Sequence, residues 1–161
     1  MDLVVRTESG AVRGAAAGGV SVFKGIPYAA ALDGPRRFRA PQAPEPWEGV
    51  RDALEFSASV PQPGIMPDLP SAWNPGDSTE SLTLNVWSPD LGGGLPVLVW
   101  IHGGAFLGGT SASFDASTLA QGGAVVVTVN YRVGYEGFGW VQDAPNNRGI
   151  LDQLAALRWV Q

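Results

Sequence analysis

The stretch that decides the fold spans residues 96–106 and reads Pro-Val-Leu-Val-Trp-Ile-His-Gly-Gly-Ala-Phe. Its first six residues form a continuous apolar run, the pattern of a strand buried within a sheet. Residues 124–130, Ala-Val-Val-Val-Thr-Val-Asn, repeat that pattern, and residues 114–121 between the two runs predict a short helix. Strand, helix and strand in this order predict an α/β fold whose central sheet is mostly parallel.

The region before this stretch predicts a different kind of structure. Residues 4–7, 11–15 and 20–25 predict short antiparallel strands separated by glycine-containing turns. Residues 31–80 carry prolines throughout, which predicts an irregular region without long regular elements. Residues 82–87 predict one further strand. We therefore expect small antiparallel strands ahead of the central sheet.

The last segment has the clearest helical pattern of the chain. Either Asn146 or Asn147 is expected to cap its N-terminus. Residues at spacings of three and four then form a largely apolar stripe, made of Ile150, Leu151, Leu154, Leu157, Arg158 and Val160. The pattern predicts a helix that packs this stripe against the sheet.

The composition is that of one globular domain, which we assign to residues 1–161. The net charge is −5 and no basic cluster is longer than Arg36-Arg37, so neither a nucleic acid nor a membrane is an expected partner. The absence of cysteine excludes a disulfide framework and a thiolate nucleophile, and no metal or cofactor is expected. Without a signal-peptide pattern, a cytoplasmic location is the expectation.

The residues that follow the first apolar run carry the chemistry. His102-Gly103-Gly104-Ala105-Phe106 stands where a strand ends, and its glycines allow a sharp turn that exposes backbone N–H groups. In an ester hydrolase such groups stabilise the oxyanion of the tetrahedral intermediate, and the same placement is known for lipases and esterases. Taken alone, the glycine pair is explained equally well as a tight exit from the strand.

Motifs along the whole chain resemble the type-B carboxylesterase family, which includes the cholinesterases. They occur in the family's order, as Gly-Ala-Val-Arg-Gly at 10–14, Phe-Lys-Gly-Ile-Pro-Tyr-Ala at 23–29, Arg-Phe at 37–38 with Pro41 and Trp47, Leu-Thr-Leu-Asn-Val-Trp at 82–87, the loop at 102–106, Asn-Tyr-Arg-Val-Gly at 130–134, Gly-Ile-Leu-Asp-Gln at 149–153 and Ala-Leu-Arg-Trp-Val-Gln at 156–161. The resemblance implies that residues 1–161 are the N-terminal portion of a single α/β-hydrolase domain, and that these residues do not include the whole domain.

The resemblance also assigns roles within the loop. It implies that the backbone N–H groups of Gly104 and Ala105 are oxyanion-hole donors, with a third donor next to the nucleophilic serine. Gly103 and Phe106 are expected to contact the substrate, although Phe106 is equally well explained as a core aromatic under the loop. His102, the only histidine, stands where the family keeps a structural residue.

The catalytic triad itself is not expected within these residues. No Gly-x-Ser-x-Gly occurs, and Gly109-Thr110-Ser111-Ala112-Ser113 is the nearest approach. The family places the nucleophile, the acid and the histidine further along, so residues 1–161 alone are expected to be inactive towards a small-molecule carboxylic ester. A complementary C-terminal chain is a possible partner. The alternatives are a non-catalytic binding or adhesion module, or a truncated reading frame without function.

Two ion pairs and one open edge follow from the same resemblance. Arg132 and Asp152 are expected to form a structural pair beside the loop. The acid that usually pairs with Arg37 is replaced by Thr79, which leaves Glu80 as the expected substitute. In the hydrolase strand order, residues 96–101 neighbour the nucleophile-bearing strand, and without it they form an apolar edge prone to aggregation.

Overall fold

A mixed β-sheet organises the computed structural model, which describes residues 3–64 and 71–161. Residues 1 and 2, and Pro67 and Pro70 of the proline-containing region, lie outside the described residues. The strands are β1 (Leu3–Arg6), β2 (Ala11–Ala17), β3 (Val20–Pro27), β4 (Val50–Asp52), β5 (Thr83–Ser88), β6 (Val97–Ile101) and β7 (Val125–Val129). The helices are α1 (Ser117–Gln121), α2 (Gly134–Phe138) and α3 (Arg148–Val160), with single 3-10 turns at Gly34–Arg36 and Ser111–Ser113.

The sheet runs in the order β1-β2-β3-β5-β7-β6, with β4 paired to β2. Neighbours from β1 to β7 are antiparallel, and β6 lies parallel to β7 with Val99 opposite Val127. The parallel part of the central sheet therefore begins at β6 and β7, the two strands that the apolar runs predicted. A connection through α1 joins these two strands, as a parallel pair requires.

The central strands bury both of their faces. On one face, Phe23, Leu84 and Val127 belong to the larger core cluster. On the other face, Trp87 and Val126 pack with α1. Because neighbouring residues of a strand point to opposite faces, the continuous apolar run of β7 matches a strand that is covered on both sides, whereas β6 at the edge keeps exposed residues.

One buried polar side chain, Asn85 in β5, ties the layers together. Its Oδ1 accepts from the backbone N–H of Gly25 at 2.8 Å, and its Nδ2 donates to Ser111 Oγ at 3.0 Å and Thr128 Oγ1 at 2.9 Å. Burying an amide whose hydrogen-bond partners are all supplied costs little folding free energy, and the hydrogen bonds fix the register of its strand.

Three elements differ from the sequence expectations. Helix α1 begins at Ser117 rather than at residue 114, because Asp115 Oδ1 accepts from the Ser117 N–H and hydroxyl and ends the extended segment there. Strand β4 lies inside the region predicted to be irregular, and helix α2 was not predicted. Both are short elements that depend on contacts with distant residues.

Helix α3 confirms the last predicted helix, with one change at its start. Asn147 is the N-cap residue, but its backbone is left-handed at φ 54° and its side chain makes no capping hydrogen bond. Asp152 and Ala156 face inward, whereas Ile150, Leu154 and Leu157 of the predicted stripe are 37%, 43% and 38% exposed. Much of the stripe is thus uncovered in this part of the protein.

The outer edge of the sheet is open and apolar. Among the described residues, strand β6 pairs only with β7, and the exposures of its Val97, Leu98, Trp100 and Ile101 are 49%, 40%, 42% and 40%. This confirms the expectation of an uncovered edge at this strand. In residues 3–64 and 71–161, no helix has the length and apolar character needed to cross a membrane.

Candidate active site

The candidate site is the loop at 103–107, which leaves the carboxyl end of β6. His102 is buried at its start, whereas every residue from 103 to 107 is exposed. Since β6 and β7 are parallel, the segment after β7, beginning with Asn130, emerges at the same end of the sheet. Ligand sites of α/β proteins lie at this end of the strands, so the position suits a catalytic loop.

The loop backbone adopts an unusual conformation. Gly104, Ala105 and Phe106 have φ values of 126°, 53° and 62° in succession. The turn closes where the Leu107 N–H donates to the Gly104 carbonyl at 2.9 Å. Positive φ is uncommon for alanine and phenylalanine, and residues held in such conformations concentrate at functional sites.

The backbone N–H groups of Gly104 and Ala105 are unpaired within the described residues. Neither donates a hydrogen bond to any residue in the described part of the chain. Both residues are exposed, and both are the ones that the sequence predicted as oxyanion donors. Two adjacent unpaired donors in a rigid turn are what an oxyanion hole requires.

Two distant segments hold the strained loop in place. The Gly134 N–H at the start of α2 donates to the Phe106 carbonyl at 2.6 Å. The Gln62 amide brackets Gly109, accepting from its N–H at 2.7 Å and donating to its carbonyl at 2.9 Å. Gln62 was not predicted as a site residue. Its only signal in the sequence is a polar side chain between two prolines, Pro61 and Pro63.

His102 is a buried support of the loop. Its ring stacks on Tyr131 with centroids 4.5 Å apart, and the Tyr131 hydroxyl donates to the His102 carbonyl at 2.8 Å. Burial lowers the pKa of the imidazole below its usual value, so the ring is neutral near pH 7. These contacts agree with the structural role expected of His102.

Phe106 lies on the loop surface rather than beneath it. Its side chain is 51% exposed, and its ring packs on Phe138 of α2 with centroids 4.8 Å apart. Within the described residues, Phe106 is therefore not a core aromatic. Contact of Gly103 and Phe106 with a substrate stays a prediction.

The Arg132–Asp152 pair is present and wholly buried. Arg132 Nη2 donates to Asp152 Oδ1 at 2.7 Å, and Arg132 Nε and the Arg132 N–H both donate to Oδ2 at 2.7 and 3.0 Å. A further guanidinium N–H donates to the Arg39 carbonyl at 2.7 Å. The pair fixes α3 to the segment that follows β7.

The expectation that Glu80 pairs with Arg37 is wrong. Arg37 Nη2 donates to Glu136 of α2 at 2.5 Å, and Glu80 instead pairs with Arg51 of β4. Both β4 and α2 were missed from the sequence, so neither partner could be placed.

Arg148 is a buried arginine that the sequence did not single out. Its guanidinium donates to the backbone carbonyls of Tyr135, Glu136, Gly139 and Pro145 at 2.8 to 3.1 Å. It lies with its charge over the Phe38 ring. Arg148 thus organises the loop between α2 and α3.

Ser111 has no nucleophilic role in this structure. Its side chain is buried and accepts from Asn85, and its N–H donates to Asn130 Oδ1 at 2.8 Å. It opens a 3-10 turn rather than following a strand directly. Within the described ranges, no cluster of three or more histidine or acidic side chains could hold a metal ion.

Comparison with known proteins places this geometry in a family. The Carboxylesterase family model matches residues 1–161. The chain is 45% identical to the para-nitrobenzyl esterase of Bacillus subtilis over 98% of this chain and 34% of that protein, and 44% identical to the fumonisin B1 esterase of Sphingopyxis macrogoltabida over 99% and 31%. It spans about a third of these relatives' length.

Solved structures agree with the sequence relatives. A thermophilic para-nitrobenzyl esterase superposes with a TM-score of 0.88 at 42% identity, over 99% of this chain and 35% of that one. A Geobacillus stearothermophilus carboxylesterase gives 0.84 at 45% identity, over 98% and 34%. The fold is therefore the N-terminal portion of an α/β-hydrolase fold, and the chain belongs to the carboxylesterase family.

Proposed function

We propose that this chain supplies the oxyanion-stabilising loop of a serine carboxylic ester hydrolase. The observation that carries the proposal is the pair of N–H groups of the exposed residues Gly104 and Ala105, which have no partner in the described residues. The loop that carries them is anchored by Gly134 at the Phe106 carbonyl and by Gln62 at Gly109, which supports preorganisation of the donors. Preorganised donors are the largest single contribution in many acyl-transfer enzymes.

In the proposed reaction the loop acts on the carbonyl oxygen of the ester. A serine hydroxyl, supplied by polypeptide beyond residue 161, adds to the carbonyl carbon while a histidine removes its proton. The oxygen becomes an anion and accepts hydrogen bonds from Gly104 and Ala105, each contributing about 3 kcal/mol to the barrier reduction. Collapse expels the alcohol, and water then releases the acid from the acyl-enzyme.

The proposed substrate class is a small-molecule carboxylic ester. The named relatives act on a para-nitrobenzyl ester and on fumonisin B1, which supports this class without selecting an acyl or alcohol group. Phe106, half exposed next to the donors, provides apolar contact for one side of the ester. The reaction needs no cofactor, and the cytoplasmic location stays a prediction.

The proposed partner is a complementary C-terminal segment. The exposed residues of β6 and the uncovered residues of α3 would be buried against it. A groove of about 410 Å³ beside the end of α3, lined by Val5, Val86, Val97, Trp159 and Val160 among others, offers further apolar surface. Covering these surfaces removes the unpaired sheet edge.

A chimera tests the proposal directly. Residues 1–161 replace the matching third of the Bacillus subtilis para-nitrobenzyl esterase, which then supplies the serine, the acid and the histidine. We expect the folded chimera to hydrolyse p-nitrophenyl acetate with a burst of acyl-enzyme, and residues 1–161 alone to show no serine-dependent turnover. A chimera that folds cooperatively but has no activity would contradict the proposal and favour a non-catalytic module.

A further inference from the structure

One peptide unit connects His102 with the proposed oxyanion hole. The carbonyl of Gly103 and the N–H of Gly104 belong to the same planar peptide, so the direction of one fixes the direction of the other. His102 Nδ1 lies 2.9 Å from the Gly103 oxygen. The His102 side chain therefore contacts the carbonyl of the same peptide whose N–H is the proposed donor.

The chemistry of this contact determines the tautomer of the ring. A carbonyl oxygen only accepts hydrogen bonds, so Nδ1 must carry the proton and donate. Nε2 then bears only a lone pair, and this buried atom has no partner in residues 3–64 and 71–161. The neutral ring consequently has a single N–H donor, which donates to the Gly103 carbonyl.

The ring has no freedom to turn away. One face stacks on Tyr131 at an interplanar angle of 22°. Gly109 lies so close that a Cβ there would stand 2.4 Å from His102 Nδ1 and 2.6 Å from the Gly103 oxygen. Gly109, with φ of 130°, is itself held by Gln62. The contact between His102 and Gly103 is thus enclosed on several sides.

We propose that His102 is a positioning residue of the oxyanion hole, which aims the Gly104 N–H through the shared Gly103 peptide. The hydrogen bond also polarises that peptide and strengthens its N–H as a donor. This inference rests on the proposed function, because it assigns a role only if Gly104 binds the oxyanion. It gives the single histidine of the chain a part in catalysis without proton transfer.

Two variants in the chimera separate positioning from packing. His102→Phe keeps an aromatic ring against Tyr131 but removes the donor, whereas His102→Asn keeps an N–H at the position of Nδ1 and removes the ring. We expect His102→Phe to lower kcat about tenfold to a hundredfold with KM within about threefold, because the lost hydrogen bond acts in the transition state. His102→Asn is expected to keep kcat within about fivefold of the parent despite a lower Tm.

A trifluoromethyl ketone, whose adduct with serine carries an oxyanion, provides the second readout. We expect its affinity to fall with kcat in His102→Phe and to be retained in His102→Asn. If His102 had a purely structural role, the losses of kcat and of inhibitor affinity in the two variants would instead follow their losses of Tm. If His102→Phe does not fold, His102→Gln serves in its place, since its amide reaches the Nε2 position and leaves Gly103 without a donor.

The outcomes separate this inference from the proposed function. A folded parent chimera without turnover defeats the proposed function before His102 is tested. An active parent whose His102→Phe variant, or His102→Gln in its place, retains full kcat and inhibitor affinity overturns the role of His102 alone. An equal loss of kcat in His102→Asn, which keeps the donor, and in the variant that lacks the donor also overturns the role of His102.

Discussion

Replacing Gly104 with alanine is expected to lower kcat/KM of the chimera by about a thousandfold or more. An added Cβ would stand 1.8 Å from the Gly108 carbonyl oxygen, and the backbone φ of 126° is strained for any L side chain. The turn must therefore open, and both donors, Gly104 and Ala105, move away from the oxyanion. The measurement is steady-state hydrolysis of p-nitrophenyl acetate, normalised by active-site titration.

Gly123→Ala is the matched control for this substitution. Gly123 also has a left-handed backbone, at φ 97°, but no atom lies within 4 Å of an added Cβ. The control thus carries the backbone strain without the collision in the loop, and we expect kcat/KM within about threefold of the parent. Equal activity of the Gly104 and Gly123 variants would show that the loop is not the oxyanion hole.

Removing the carboxylate of Asp152 is expected to have the largest effect on stability. Asp152→Ala leaves the buried Arg132 guanidinium with only the Arg39 carbonyl as a partner among the described residues, and an uncompensated buried charge costs about 3–5 kcal/mol of unfolding free energy. Urea unfolding of the chimera, followed by tryptophan fluorescence, measures the change.

Two comparisons identify the buried charge as the cause. Asp52→Ala removes an exposed carboxylate paired with Arg13, and such a pair contributes about 0–1 kcal/mol. The double variant Arg132→Met with Asp152→Leu removes both charges, and we expect it to recover most of the loss. A loss for Asp152→Ala no larger than that for Asp52→Ala would contradict the assigned role of the pair.

Local patterns were sufficient to predict the strands that build the sheet. Strands β6 and β7 are apolar runs that their own residues predict, and the stretch Leu-Thr-Leu-Asn-Val-Trp likewise predicts β5, although β6 is largely exposed at the edge of the sheet. Strand β4 is only three residues long and exists because it pairs with β2. The Arg37–Glu136 pair joins residues 99 positions apart, so no local sequence pattern predicts it.

The candidate site was predicted in position but not in conformation. Glycines after a strand indicated where the loop lies, and the family resemblance supplied the donors. The left-handed backbone of Ala105 and Phe106 could not be predicted, because neither residue favours it and the loop is anchored by residues distant in sequence, Gly134 at Phe106 and Gln62 at Gly109. The positive φ values therefore follow from tertiary contacts and not from the local sequence.

The most direct measurement removes one N–H group and leaves every side chain unchanged. Lactic acid incorporated at Ala105 of the chimera keeps the methyl side chain and replaces the N–H with an ester oxygen; the same replacement at Ala124, whose N–H also has no partner in the described ranges, is the control. We predict that kcat falls about a hundredfold to a thousandfold at Ala105, the cost of one oxyanion donor, and stays within about threefold of the parent at Ala124. An unchanged kcat for the Ala105 ester would contradict the account.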